Sequence, residues 1–307
     1  MPEVVLETIG LTKDFRRRRA VDNLNLRVFE GDVYGFLGPN GAGKSTTIRM
    51  LTGLIRPNRG TVRLLSKNIS TDRISALRHV GALIETPAFY KYLSARENLR
   101  ILTRLSDGAD SRQIDEVLDI VGLLDRAGDK VGTFSHGMLQ RLGLAQALLP
   151  KPRLVILDEP TSGLDPQGMR DVRELIKRLS RDHKVTIFLS SHLLYEVEQI
   201  CTKVGIINRG KLRAEGEVRE LLGGDAGRVE LRVDNTAKAL SVLDSLDWVK
   251  VTETSGDRVS LQLPYDRIGA MNKCLVSAGV DVLAIIPQSS CLEDIFLRLT
   301  EGVGYAD

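Results

Sequence analysis

No stretch of this 307-residue chain approaches the ~20 consecutive apolar residues that a helix needs to cross a bilayer, so the sequence offers no candidate membrane span. Its first residues, Met1-Pro2-Glu3-Val4-Val5, lack the basic-then-apolar layout of a secretory signal, and the expectation is a chain that stays in the cytosol. Cysteine is scarce. Cys201, Cys274 and Cys291 are odd in number, far apart and without metal-ligand spacing, which excludes a disulfide framework or a zinc site and reads as reduced thiols. A sustained heptad pattern is missing too, which excludes a coiled-coil arm.

What remains is ordinary globular composition, 42% hydrophobic and 27% charged, in a chain long enough for two domains. The net charge of +3 is unevenly spread. From Gly223 onward there are 8 Lys and Arg against 13 Asp and Glu, whereas residues 1–222 hold 35 against 27. The shift coincides with the glycine-rich stretch at 223–227, which places a boundary between a first domain, 1–222, and a second, 223–307.

The most informative segment of the first domain is Gly38-Pro39-Asn40-Gly41-Ala42-Gly43-Lys44-Ser45-Thr46, which fits G-x-x-x-x-G-K-[ST]. The apolar run Val33–Leu37 before it reads as a buried strand, and Thr47–Leu51 after it begins a helical pattern. In that context the glycines let backbone N–H groups curl around an anion, and the helix N-terminus adds its dipole. The expected nucleotide-binding set is Gly38, Asn40, Gly41, Gly43, Lys44, Ser45 and Thr46. Lys44 reaches the β- and γ-phosphates, and the Ser45 hydroxyl completes the shell of a Mg2+ ion. The partner is a nucleoside triphosphate.

A second strand, Leu154–Leu157, closes on Asp158-Glu159-Pro160. Opposite a phosphate loop, Asp158 is suited to the metal's water shell and Glu159 to general base toward an attacking water. A third strand, Val185–Leu189, delivers Ser190-Ser191-His192 to the same edge, so His192 is expected near the phosphates. Phe15 in the opening sheet either stacks on a nucleotide base or belongs to the core. The four arginines that follow it read as a solvated turn, with nucleic acid or anionic lipid as the other option. Helical periodicity at Ile114, Val117, Leu118 and Val121, capped by Asp110 or Ser111, and at Met138–Leu149 marks a helical insertion at about 86–150. The tail reads βαββαβ, a ferredoxin-like module of split βαβ type with no catalytic constellation; regulation, dimer contact and scaffolding are its possible roles.

Across residues 4 to about 220 these motifs, in this order, resemble the ATP-binding subunit of an ABC transporter. The phosphate loop is similar to that family's Walker A motif and Leu154–Glu159 to its Walker B. Phe134 to Arg141 resembles the signature written LSGGQ, Ser162-Gly163-Leu164-Asp165 the D-loop, and His192 the switch histidine. Phe15 falls where the family places an adenine-stacking aromatic. Two positions depart from the pattern: His136 replaces a signature glycine, and Glu85 stands for the Q-loop glutamine. His136 either alters the fit of a nucleotide or points away from it.

The glutamate, with Gly81–Ile84 and Arg96–Leu99, resembles exporters of bacitracin and lantibiotics; the tail is similar to those of drug-resistance pumps of the daunorubicin type. The resemblance implies an α/β P-loop ABC ATPase core with antiparallel β and helical subdomains, followed by the small α+β domain. It implies ATP and Mg2+ as ligands, with Ser45, Glu85 and Asp158 around the metal. It also implies Glu159 and His192 as catalytic residues, and Ser135, Gly137 and Asp165 as contacts to nucleotide across a head-to-tail dimer, with a homodimer preferred over a heterodimer. A membrane-spanning permease would dock near Glu85–Tyr92, with Phe89, Tyr90 and Tyr92 in a groove or in the core, placing the protein at the cytoplasmic face of the membrane. No nucleic-acid partner is expected: one cassette without a coiled coil argues against the relatives that act on ribosomes or DNA.

Overall fold

The computed structural model describes residues 3–16, 18–103, 111–222, 226–288 and 292–301. Arg17, Asp110, Cys291 and residues 223–225 of the glycine-rich stretch lie outside them. The chain divides into two compact units, Met1–Gly216 and Glu217–Asp307.

In the first unit, β1 (Val4–Phe15), β2 (Arg18–Phe29), β4 (Arg59–Leu64) and β5 (Lys67–Asn68) form an antiparallel sheet ordered β2-β1-β4-β5. The second sheet is built from β3 (Val33–Leu37), β6 (Val80–Leu83), β7 (Leu154–Asp158), β8 (Thr186–Ser191), β9 (Lys203–Asn208) and β10 (Lys211–Glu217), ordered β10-β9-β3-β8-β7-β6. From β9 to β6 every neighbouring pair is parallel. Every residue of β3, β7 and β8 is buried, as expected for parallel strands covered on both faces and written as continuous apolar runs. One core joins the two sheets: Leu6, Leu24 and Val62 of the antiparallel sheet meet Tyr34, Phe36, Ile156 and Phe188 of the parallel one.

Helices α1 (Lys44–Leu51), α2 (Arg73–Leu77), α3 (Ala95–Thr103), α4 (Ser111–Ile120), α5 (His136–Leu148), α6 (Pro166–Arg181) and α7 (Leu194–Ile200) complete the unit. Helix α5 begins earlier than its apolar periodicity because the Ser135 hydroxyl accepts a hydrogen bond from the Met138 amide and caps it. Strand β6 approaches α5 so closely that a β-carbon on Gly81 would lie 2.0 Å from the Ala147 carbonyl oxygen. Neither backbone can yield, so Gly81→Ala is expected to destabilise the protein by about 3 kcal/mol, read as a lowered midpoint in urea unfolding.

The second unit holds α8 (Val218–Leu221), β11 (Ala226–Val233), α9 (Thr236–Leu243), β12 (Lys250–Ser255), β13 (Arg258–Pro264), α10 (Ile268–Ser277), β14 (Val282–Gln288) and α11 (Leu292–Glu301). Its antiparallel sheet runs β12-β13-β11-β14, the order the split βαβ reading requires. Val229, Leu231, Val259 and Leu261 pack on Ala239, Leu243, Met271 and Leu275 of the two crossover helices.

Of the cysteines, Cys201 is buried with no disulfide partner among the described residues, and burial pushes its thiol far above the usual range, so it stays protonated and inert. Among the described residues no helix is long and apolar enough to cross a membrane.

Candidate functional site

Parallel pairing puts the C-terminal ends of β3, β7 and β8 on one edge: Leu37 lies opposite Ser191, and Asp158 opposite Ser190. The loop between β3 and α1 folds as a nest because its glycines permit what other residues would not. Gly43 has φ 115°, and a β-carbon there would meet the Ala20 carbonyl at 2.5 Å; at Gly38 it would meet the Ile207 carbonyl at 2.4 Å. Helix α1 starts directly after Gly43 with no side-chain cap, which leaves the N–H groups of its first turn without a side-chain acceptor at the cap and suits them to an anion.

Lys44 is buried inside this nest. Its ammonium donates to the Gly38 carbonyl at 2.7 Å and lies 3.5 Å from Oε1 of Glu159. Glu159 turns its other oxygen, Oε2, to Nδ1 of His192 at 3.1 Å. Cation, carboxylate and imidazole therefore stand in a row at the sheet edge. Glu159 reaches that position with φ 47°, a left-handed backbone that costs a non-glycine residue on the order of 1 kcal/mol or more. The Ser190 hydroxyl bridges the acidic pair, donating to Asp158 Oδ1 at 2.6 Å and accepting from the Glu159 amide at 3.0 Å. Sequence reasoning assigned Ser190 no role; its only signal was its place beside His192.

A cavity of about 390 Å³ opens over the nest, lined by Phe15, Arg18, Ala20, Asn40, Gly41, Gly43, Lys44, Ser45, Thr46 and Glu159. Phe15 is 47% exposed and lines this cavity, so it is not a core residue. The arginine tract is not only a solvated turn. Arg18, paired with Phe15 across the β1–β2 hairpin, donates to the Gly41 carbonyl at 2.6 Å, while Arg19 is neutralised by Asp14 and Asp22.

The other expected residues sit elsewhere. Ser135 and Gly137 lie at the N-terminus of α5, and Asp165 caps α6 by accepting from the Gly168 amide at 3.1 Å. The exposed His136 ring leans on the loop before α6, its Nε2 3.5 Å from where Gly163 would carry a β-carbon. Glu85, at φ 62°, forms an ion pair with Arg49 of α1. Ser45 and Asp158 offer hard oxygen donors, and no group of three or more His, Cys, Asp or Glu among the described residues forms a metal cage. That donor set suits Mg2+, which takes most of its ligands from phosphates and water.

Following Glu85, Tyr90 and Tyr92 are exposed with ring centroids 5.9 Å apart. The buried Asn98 side chain holds this loop, accepting from the Tyr90 amide at 2.8 Å and donating to the carbonyls of Tyr90 and Ser94. Asn98→Leu strands those backbone groups and is expected to cost about 1–3 kcal/mol, with faster hydrogen exchange at residues 90–94 as the local readout.

Comparison with known proteins places this geometry in a family context. The family model described as ABC transporter matches residues 21–162. The bacitracin transport ATP-binding protein BcrA of Bacillus licheniformis is 42% identical over 97% of this chain and 98% of its own length. The uncharacterized ABC transporter ATP-binding protein YhcH of Bacillus subtilis is 40% identical over 97% of this chain and 96% of its own. The linearmycin resistance ATP-binding protein LnrL of Bacillus subtilis is 33% identical over 96% and 98%. Among solved structures, an ATP-binding subunit of an ABC transporter aligns with TM-score 0.63 and 28% identity over 71% of this chain and 91% of that one.

Proposed function

The chain belongs to the ATP-binding subunits of ABC transporters, and from that membership we propose that it hydrolyses ATP with Glu159 as general base to drive export of a peptide antibiotic, drug or lipid-like substrate through a separate membrane subunit. The observation that carries the reading is the row Lys44–Glu159–His192 at the edge of the parallel sheet, beside the phosphate nest.

In this scheme Phe15 stacks on the adenine, and the backbone amides of Gly41, Gly43 and the first turn of α1 hold the phosphates. As the γ-phosphate arrives, Lys44 turns from Glu159 to the phosphate oxygens. The carboxylate is then free to accept a proton from water. The water oxygen bonds to the γ-phosphorus as the bond to the ADP oxygen breaks, releasing ADP and phosphate. His192, oriented through Nδ1 by Glu159, turns its other ring nitrogen, Nε2, toward the γ-phosphate. Ser45 and Asp158 would hold Mg2+, which would supply charge neutralisation to the phosphates; Glu85, the third expected ligand, is ion-paired with Arg49 and would have to leave it to join them.

One nest leaves the γ-phosphate open to solvent on its far side. ABC ATP-binding subunits dimerise and work with membrane partners. For this chain the reading is a head-to-tail homodimer in which Ser135 and Gly137 of one copy cap the ATP held by the other, with Asp165 beside them. The exposed pair Tyr90 and Tyr92, in a loop held by Asn98, is the proposed seat of the permease, which would place the protein at the cytoplasmic face of the membrane. Export of an antibiotic is supported by the names of BcrA and LnrL.

The test is a pull-down from native membranes with tagged Glu159→Gln protein, ATP and Mg2+. A polytopic membrane protein in stoichiometric amount is the expected catch, and it must be lost when Tyr90 and Tyr92 are both changed to Ser. Recovery of ribosomal or DNA-bound material without a membrane protein would overturn the export reading.

A further inference from the structure

Four residues, Asp158 to Thr161, carry the strained backbone of Glu159, and three separate elements hold them. Ser190 at the end of β8 binds Asp158 and the Glu159 amide. From α5, the buried Gln140 side chain donates to the Pro160 carbonyl at 2.8 Å. From α7, the carboxylate of Glu196 accepts a hydrogen bond from the Thr161 hydroxyl. Glu196 is only 6% exposed, and its second oxygen, Oε1, is buried with no hydrogen-bond partner among the described residues. A carboxyl in that position is unfavourable for packing, because half of its polar capacity is desolvated without return. What it does achieve is geometric: it fixes Thr161, two residues beyond Glu159.

We infer that Gln140, Thr161 and Glu196 are positioning residues that hold Glu159 in its left-handed conformation, and so set the hydrolysis rate without touching nucleotide. A non-glycine residue stays at φ 47° only where its surroundings over-determine it. With one hydrogen bond removed, the segment relaxes toward ordinary backbone angles and the Glu159 carboxylate swings out of line with Lys44 and His192. Gln140 has a second consequence. It roots the base in α5, the helix capped by Ser135, so a displacement of that helix end reaches Pro160 through one rigid element. None of the three residues lines the cavity over the nest. The inference rests on Glu159 being the base.

The full-length protein is assayed for ATP turnover and, separately, for affinity with a fluorescent ATP analogue. Thr161→Val keeps the shape and removes the hydroxyl; it is expected to lower kcat tenfold or more with affinity within twofold of wild type, and Thr161→Ser to recover kcat to within threefold. Glu196→Gln, which still accepts from Thr161, is expected to remain active, and Glu196→Leu to fall as Thr161→Val does. Thr161→Val turning over within twofold of wild type, or Thr161→Ser as slow as Thr161→Val, overturns the inference. Glu159→Gln in the same assay separates the two layers. If it is inactive while Thr161→Val is normal, only the positioning role fails; if it turns over normally, the base assignment fails first.

Discussion

Glu159→Gln is expected to lower kcat for ATP hydrolysis about 10³-fold while leaving ATP affinity equal or tighter, the range general-base removal usually spans. The amide preserves the volume of the side chain but cannot accept a proton from water. It also dissolves the 3.5 Å pairing with Lys44, so the ammonium no longer has to leave a carboxylate in order to meet phosphate. ATP should therefore bind and stay. In the dimer scheme that traps the closed form, and size-exclusion chromatography with ATP and Mg2+ should show a species of twice the mass that ADP does not produce. Wild-type turnover by this variant would remove Glu159 from the mechanism and leave Asp158 as the remaining carboxylate at the edge.

Lys44→Ala is expected to weaken ATP binding by at least about 100-fold. A charge-assisted hydrogen bond contributes about 1.5–3 kcal/mol, and in the proposed scheme Lys44 makes such bonds to two phosphates, so a loss of about 3 kcal/mol or more follows. The nest also loses positive charge: Lys44 is the buried cation facing Glu159, and without it the carboxylate keeps only His192 as a partner where another anion must enter. Isothermal titration with ATP and Mg2+ measures the effect, and circular dichroism should show an unchanged fold because the truncated stem leaves a solvent-connected cavity. Affinity within tenfold of wild type would contradict the assigned phosphate site.

How much of this was legible in the linear chain depended on the range of the interaction. The phosphate loop could be read because its chemistry is local: nine residues supply glycines, lysine and hydroxyl, and the flanking patterns declare strand and helix. The strand ends carrying Asp158-Glu159 and Ser190-Ser191-His192 could be read because continuous apolar runs mean parallel strands, and parallel strands share an edge. The βαββαβ tail followed from alternating periods, and its sheet order agrees with the split βαβ pattern. Phe15 stayed ambiguous in sequence, since an aromatic at a strand end serves core and ligand alike; its exposure beside the nest assigns it to the cavity wall.

The contacts that shape the site were out of reach for one reason. Thr161 meets Glu196 across 35 residues, Arg49 meets Glu85 across 36, and the Arg18 side chain meets the Gly41 carbonyl across 23, all through residue types that are common everywhere in the chain. Nothing periodic marks them. His136 against Gly163 is the same case: a residue that breaks its motif was visible at once, but not the loop it leans on. The sequence by itself therefore determined the fold class and singled out the phosphate loop and the candidate reacting side chains, because these readings follow from residue type and spacing over short windows. Only the tertiary structure decided that Glu159 is held at φ 47° between Lys44 and His192, because that conformation is imposed by packing from β8, α5 and α7, and no local preference of glutamate would choose it.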